Sequence, residues 1–346
     1  MKQIKIKNHI IAKGKPPFVI AEAGINHNGD IKNALKMIDV AKKSAVNAIK
    51  FQTFKASELI SDHNQKYTYK SQEKQVTESM YDMFKRYELD KDDWKKIKKQ
   101  CDEKKIIFLS TPQNKTDLDL LLDIGITAIK VGSDDFTNLP LIKEYSSTGL
   151  PLLLSCGMAD ISEISTSLNT VGAFEGYPTI LLHTTSQYPT PVKDTNLLKL
   201  KTLENTFPDI PLGFSDHTQG PLASSLAVAF GAVVFEKHFT LDNNLPGPDQ
   251  WFSENPEGLK QWCENIKKSY SMLGNSLLKP TNIERKNRNE FRRFIVAIKD
   301  IQKNEVFSRK NIDMRRTSEK KSLPPIFFEY LLGRKSVKKY SKGQAI

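Results

Sequence analysis

Eight short apolar runs, each followed by a stretch with helical periodicity, constrain this chain more than any other feature. The runs are FVIAEAG (18–24), NAIKFQTF (47–54), IIFLSTP (106–112), AIKVGS (128–133), LPLLLSCG (150–157), TILLHTTS (179–186), IPLGFSDH (210–217) and AVVFEKHF (232–239). Amphipathic segments lie between them, such as IKNALKMIDVAKKSA (31–45), KDDWKKIKKQCDEKK (91–105) and PLASSLAVAFGA (221–232). A strand–helix unit repeated eight times predicts an α/β fold, a (β/α)8 or TIM barrel. An open doubly wound sheet is the alternative. It normally carries a glycine-rich dinucleotide turn after the first strand, and AEAGINHNG is not one.

A barrel of this kind carries its functional groups at the C-terminal ends of its strands. Here those ends are polar. Glu22 ends the first run, Lys50 and Gln52 the second, Thr111 the third, Lys130 and Ser133 the fourth, and Ser155 the fifth. Ser215 and His217 end the seventh, and Glu236, Lys237 and His238 the eighth. An ionisable group there is costly unless it is paired, bound to metal or used. Strand side chains alternate in direction. Lys50 and Gln52 therefore share a face, as do Ser215 and His217, and Glu236 and His238. Lys237 points the other way, toward the helices.

The tail from about residue 285 has short strands and KNE and SKG turns, and reads as a small, mostly β module. The expected organisation is a barrel over 1–273, a linker over 274–287 and the small module over 288–346. The formal net charge is +12, an excess that is mostly Lys and denser after residue 285. Such a balance suits anionic partners, from nucleic acid to small anions. No helix-turn-helix, zinc-finger or ribonucleoprotein signature supports nucleic acid. The N-terminus lacks the apolar core of a signal peptide, and no run approaches a membrane span. Cys101, Cys156 and Cys263 fit no zinc or disulfide pattern. A cytoplasmic protein is expected.

Two histidines at the ends of neighbouring strands, His217 and His238, suit a divalent metal with open positions for substrate, or are two hydrogen-bonded structural imidazoles. Lys50 and Lys130 pair with Glu22 or Glu236, form a Schiff base, or grip an anion. The hydroxyls of Thr111, Ser133, Ser155 and Ser215 converge with both lysines and favour the anion. YPTP (188–191) and LPGPD (245–249) are rigid loops on the same side, and Asp249 either meets a sugar hydroxyl or forms a turn. Asp30 is a helix cap. Arg315 and Arg316, taken with the tail alone, belong to a solvated basic face.

IAEAGINHNGD, IKFQTF, IKVGS, YPTP, GFSDHT, EKHFT and PGPD, in this order and spacing, resemble the sialic acid synthase family, the phosphoenolpyruvate-dependent nonulosonate synthases. FRRFIVAIKDIQKNE and LLGRKSVKKYSKGQAI resemble that family's C-terminal SAF (antifreeze-like) domain. The resemblance implies a transferase that joins phosphoenolpyruvate to an N-acetylated amino sugar such as N-acetylmannosamine. The product is a nine-carbon 2-keto-3-deoxy acid, and phosphate leaves by C–O cleavage. It further implies that His217 and His238 hold Mn²⁺, with Mg²⁺ or Co²⁺ as substitutes. Lys50, Thr111, Lys130, Ser133, Ser155 and Ser215 would grip phosphoenolpyruvate. Glu22, Gln52, Tyr188 and Asp249 would surround the sugar or the reaction intermediate, and Glu236 would be an acid–base group. Arg316 matches an arginine that reaches into the partner's barrel, which implies a domain-swapped homodimer.

Two positions depart from the family pattern. Ser186 stands where an Asn is common before the YPTP loop, and Asp135, in GSDD, where a Glu follows a GSG turn. Both are expected near the sugar, and they open the alternative of a legionaminate or pseudaminate synthase using a di-N-acetylated 6-deoxyhexose. Outside the family the alternatives are a Schiff-base aldolase and a non-catalytic sugar-binding barrel.

Overall fold

Each apolar run becomes a strand in the structure, a computed structural model that describes residues 3–319 and 322–346. The strands are β1 (Phe18–Gly24), β2 (Ala48–Thr53), β3 (Ile107–Pro112), β4 (Ile129–Val131), β5 (Leu152–Ser155), β6 (Thr179–Thr184), β7 (Leu212–Asp216) and β8 (Val234–His238). They pair in parallel, in sequential order, and β8 returns to β1 to close a barrel.

Alternation explains what fills it. The inward rows are apolar at the start of each strand and polar at its end. Phe18 and Ile20 precede Glu22, Ala48 precedes Lys50, Leu109 precedes Thr111, Ala128 precedes Lys130, Leu153 precedes Ser155, and Val234 precedes Glu236. The apolar members form one buried cluster inside the barrel. Ile4, Ile6 and Ile11 of an N-terminal hairpin (Ile4–Ile6 with His9–Ile11) join that cluster. The outward rows, including Val19, Ile49, Phe51, Phe108, Phe214 and Phe235, pack with helix residues such as Met37, Trp94, Leu118 and Trp262 in a second, larger cluster. The first helix, Ile31–Lys43, starts where expected, with the Asp30 side chain accepting from the Lys32 amide at 2.8 Å.

Lys237 faces outward, as alternation requires, and is 2 % exposed. Its ammonium lies 3.1 Å from Asp216 Oδ2 and 3.8 Å from a Glu254 oxygen, and donates to the Thr218 carbonyl. Asp216 also accepts from the Thr218 amide and hydroxyl at 2.8 and 2.7 Å and from the Ser224 hydroxyl at 2.6 Å. The charge is therefore paired and its partners are saturated, as a buried ion requires.

A second hairpin, Lys66–Ser71 with Lys74–Ser79, is inserted between β2 and β3. The sequence reading did not contain it. It docks on the loop after β8. Gln72 Nε2 donates to the Asn244 carbonyl at 2.9 Å, and the Gly247 amide donates to Ser71 Oγ at 3.0 Å. Lys70 Nζ lies 4.7 Å over the Trp251 ring.

The chain divides into two units, Met1–Gly274 and Asn275–Ile346. In the second, strands Phe294–Ala297 and Ile312–Arg315 pair antiparallel around a small core of Ile295, Ile301, Phe307, Ile312, Phe328 and Tyr340. The segment expected to be a linker is helical from residue 282, within a helix Asn282–Phe291 that Thr281 and Glu284 cap reciprocally. Such a capping box satisfies two of the amides that a helix start leaves unpaired. This unit holds 19 Lys and Arg against 7 Asp and Glu, so it carries the whole net charge of +12 and the barrel is neutral. Among the described residues no helix is long and apolar enough to cross a membrane.

Candidate active site

A cavity of about 730 Å³ opens at the C-terminal ends of the strands. Glu22, Lys50, Gln52, Thr111, Lys130, Ser133, Ser155, Ser186, Tyr188, Ser215, His217, Glu236, His238 and Asp249 all line it. The polar strand ends singled out in the sequence therefore form one surface.

Four buried charges occupy its floor. Lys50 Nζ lies 2.9 Å from Glu22 Oε1 and 3.6 Å from Glu236 Oε1, and Lys130 Nζ lies 3.7 Å from the same Glu236 oxygen. Both lysines are 3 % exposed. Lys50 also donates to Thr111 Oγ1 at 3.1 Å, Gln52 Nε2 donates to Glu22 Oε1 at 3.1 Å, and Ser215 Oγ donates to Glu236 Oε1 at 3.3 Å. Burial and the charge of Glu236 push Glu22 above the usual carboxylate range, against the pull of Lys50. Burial would raise Glu236 as well, but Lys130 and Lys50 outweigh it and hold Glu236 low. For Lys50, burial is outweighed by Glu22 and Glu236, and the ammonium is held charged. Lys130 is lowered by burial, with less compensation. Two carboxyl groups in one site with affinities pushed apart is a common arrangement for acid–base work. Two lysine ammoniums and the hydroxyls of Thr111, Ser155 and Ser215 around one cavity suit an anionic ligand, and the Ser155 hydroxyl is buried there without a hydrogen-bond partner.

The imidazoles sit above this floor. The rings of His217 and His238 are 5.5 Å apart, and the Tyr188 ring lies 4.1 Å from His217 and 5.7 Å from His238. His217 Nδ1 is 2.8 Å from the Thr185 carbonyl. A carbonyl only accepts, so Nδ1 carries the proton and Nε2 keeps its lone pair. His238 Nδ1 is buried without a hydrogen-bond partner, 3.8 Å from Asp249 Oδ2. Burial lowers His217 to about 4 and His238 well below its ordinary value, so both are neutral. Burial, with Glu22 nearby, raises Asp249 to about 7. Neutral imidazoles with free lone pairs fit a divalent metal. Among the described residues no group of three or more His, Cys, Asp or Glu is arranged to hold one. An ion here would complete its shell with water and substrate oxygens.

The hydroxyl side of the cavity depends on a residue the sequence reading passed over. A Cβ on Gly157 would lie 2.5 Å from Ser186 Oγ, 2.6 Å from Ser133 Oγ and 2.8 Å from Thr184 Cγ2. The Gly157 amide donates to Ser133 Oγ at 3.1 Å. Only glycine lets the backbone approach both serines this closely.

Two expected site residues are not in the cavity wall. The Asp135 carboxylate instead accepts from Asn138 Nδ2 at 3.0 Å, and its neighbour Asp134 lines the cavity. In the GSDD turn the backbone turns one carboxylate in and the other toward the next helix. Arg316 belongs to the second unit, where it is exposed and its guanidinium lies 6.0 Å from the Phe291 ring. Trp251, Phe252 and the hairpin residues Tyr67, Thr68, Tyr69 and Lys70 also line the cavity and were not foreseen.

The chain is similar to known proteins over most of its length. The chain is 38% identical over 335 residues to the N,N'-diacetyllegionaminic acid synthase of Campylobacter jejuni, covering 96% of this chain and 99% of that one. It is 37% identical over 303 residues to the synthase of the same name from Legionella pneumophila, covering 86% and 85%. The crystal structure of an N-acetylneuraminic acid (sialic acid) synthetase from Leptospira borgpetersenii superimposes with a TM-score of 0.75 at 33% identity, over 84% of this chain and 97% of that one. Residues 37–277, most of the barrel with its cavity, match the NeuB family model. The chain belongs to the NeuB family.

Proposed function

We propose that this protein is a nonulosonic acid synthase, a transferase that condenses phosphoenolpyruvate with an N-acetylated amino sugar aldehyde and releases phosphate. The observation that carries the reading is the facing of two buried lysines, Lys50 and Lys130, by two neutral imidazoles across one cavity. The names of the relatives agree with it. The sugar is N-acetylmannosamine or a di-N-acetylated 6-deoxyhexose.

Lys50 and Lys130, with Thr111, Ser133, Ser155 and Ser215, bind the phosphate and carboxylate of phosphoenolpyruvate. The methylene carbon of phosphoenolpyruvate bonds to the aldehyde carbon, whose oxygen takes up a proton. The neighbouring carbon is left electron-poor beside a phosphate that the lysines hold. Water adds there and loses a proton, and the tetrahedral carbon then expels phosphate with cleavage of its C–O bond, leaving the 2-keto group. Glu236, in reach of both lysines, is placed to take the proton from water. Glu22 is placed to hold the second proton. Gln52, Ser186, Tyr188 and Asp249 flank the sugar. A divalent ion, Mn²⁺ with Mg²⁺ or Co²⁺ as substitutes, would be held by His217 and His238, and when bound it supplies Lewis acidity toward the aldehyde oxygen. Positioning and fixed charge supply most of the acceleration. Arg316 of the partner subunit completes the cavity in a homodimer, and its exposure in this chain leaves it free to do so.

The test is phosphate release from phosphoenolpyruvate carrying ¹⁸O in its bridging position, with and without sugar. Release that requires the sugar and puts the label in phosphate is the expected result. Label retained in the keto acid, or release that ignores the sugar, overturns the proposal.

A further inference from the structure

Gln113 lines the cavity, and the proposed reaction gives it no part. Its place follows from alternation. Leu109 and Thr111 are inward residues of β3, and Gln113 is the next inward position, one residue past the end of the strand. The backbone there is still fixed. The Gln113 amide donates to the Thr53 carbonyl at 3.1 Å, which extends the pairing of β3 with β2. The Tyr145 hydroxyl donates to the Pro112 carbonyl at 2.9 Å, and the next residue, Asn114, starts the helix Lys115–Asp123.

The same two-residue step recurs around the barrel. Lys50 is followed inward by Gln52, Ser215 by His217 and Glu236 by His238. In each pair the first residue stands at the floor, where phosphoenolpyruvate sits, and the second nearer the mouth, where the sugar enters. Thr111, which accepts from Lys50, and Gln113 are the β3 pair. Two residues of strand span about 7 Å. Gln113 therefore stands beyond a small acid seated on the lysines and beside whatever is joined to it.

The side chain is uncommitted. It is 9 % exposed, its Oε1 is buried without a hydrogen-bond partner, and its Nε2 makes no hydrogen bond among the described residues. Gln52, by contrast, has its Nε2 engaged by Glu22 at 3.1 Å. A buried polar group left unpaired costs stability and calls for a reason. A carboxamide donates and accepts at once. It matches neutral groups that do the same, such as a sugar hydroxyl or acetamide.

Resting on the synthase reading, we infer that Gln113 is a sugar-binding residue that sets specificity: its carboxamide pairs with one neutral polar group of the sugar, away from the reacting carbon.

The experiment uses the full-length protein, at saturating phosphoenolpyruvate and metal, with N-acetylmannosamine or a di-N-acetylated 6-deoxyhexose, whichever wild type turns over faster. Analogues of that sugar, each lacking one hydroxyl or an acetyl group, are assayed beside it. Gln113→Met keeps the length of the side chain and removes both hydrogen-bonding ends. Its thermal transition without ligands should stay at or above that of wild type, because an unpaired buried group is lost. Its kcat/KM for the sugar should fall roughly fivefold to a hundredfold, the effect of stranding one neutral polar group of a buried ligand. The KM for phosphoenolpyruvate should not move. One analogue, the one lacking the paired group, should be turned over alike by wild type and Gln113→Met. Gln113→Glu keeps the shape and loses the donor, and it should show the same sugar-specific loss even if the Met variant melts early. A lower melting temperature with unchanged sugar kinetics makes Gln113 structural and overturns the inference. So does a loss from Gln113→Met that is the same for every analogue, or one confined to phosphoenolpyruvate. Wild type that releases no phosphate in response to either sugar overturns the synthase reading itself, so the two failures are told apart.

Discussion

Replacing Lys237 by Met removes the only ammonium facing Asp216 among the ion pairs of the described residues, and the cost follows from what remains. Breaking a buried ion pair by deleting one partner costs about 3–5 kcal/mol, because the other charge is stranded. Asp216 keeps three donors, from the Thr218 amide and hydroxyl and from Ser224, which places the loss near the lower end. About 3 kcal/mol corresponds to a fall in Tm of about 6 °C for a unit of this size. Thermal and urea melts of Lys237→Met, Asp216→Asn and the double variant measure it. The double variant should recover at least about 1 kcal/mol, because the amide that replaces the carboxylate carries no charge to strand. Lys237 faces away from the cavity, so kcat well below the transition should stay at the wild-type level. A loss under about 1 kcal/mol, or strict additivity of the two substitutions, refutes the claim that this pair is a structural unit.

Four further outcomes are expected. His217→Ala and His238→Ala should each lose bound Mn²⁺ by elemental analysis and at least about a hundredfold in kcat, with an unchanged melt; full metal content in either variant contradicts the ligand assignment. Lys50→Met should weaken phosphoenolpyruvate binding by about thirtyfold in calorimetry, the effect of stranding a charged ligand group; unchanged affinity contradicts the anion site. Gly157→Ala should raise the KM of a substrate by displacing Ser133 and Ser186, and kinetics equal to wild type contradict the close approach. Asp117 is raised to about 7, chiefly by burial and next by Glu58. The folded protein therefore keeps a proton that the unfolded chain releases above about pH 4. Stability is lost as pH rises from there toward 7, and Asp117→Asn should stabilise at pH 8 by about 1 kcal/mol and by less at pH 5; an equal gain at both pH values contradicts the assignment.

The barrel was legible because its strands are buried on both faces and read as continuous apolar runs, and because a run that ends in Glu-Lys-His needs a reason to do so. Alternation then assigned Glu236 and His238 inward and Lys237 outward without any coordinates. What escaped was what alternation and apolar runs do not encode. The hairpin KYTYKS–KQVTES has only Tyr67, Tyr69 and Val76 as apolar side chains and leaves all three partly exposed, so its service as a cavity wall depends on distant partners such as Asn244 and Trp251. Met80 and Phe84 lie in a stretch without the strand-end or rigid-loop signals that marked the other lining residues. The choice of Asp134 over Asp135 turns on the backbone of one tight bend. Gly157 mattered through two serines, one of them 29 residues away. The helix in the supposed linker did leave a signal, the Thr281–Glu284 capping box, which was overlooked in a charged segment.

Confinement of the net charge to the second unit has a consequence for how the chain responds to its solvent. A unit of 72 residues at +12 repels itself across a radius of about 11 Å. That distance is close to the Debye length of about 10 Å at 0.1 M ionic strength. Added salt therefore relieves the small unit over the range found in ordinary buffers. The barrel, with equal numbers of opposite charges and its key ions sealed from water, gains little from the same salt. Its stability answers instead to protons, through groups such as Asp117. Ionic strength and pH thus act as separate controls on two unequal units of one polypeptide, and a two-step unfolding curve should split or merge as salt alone is varied.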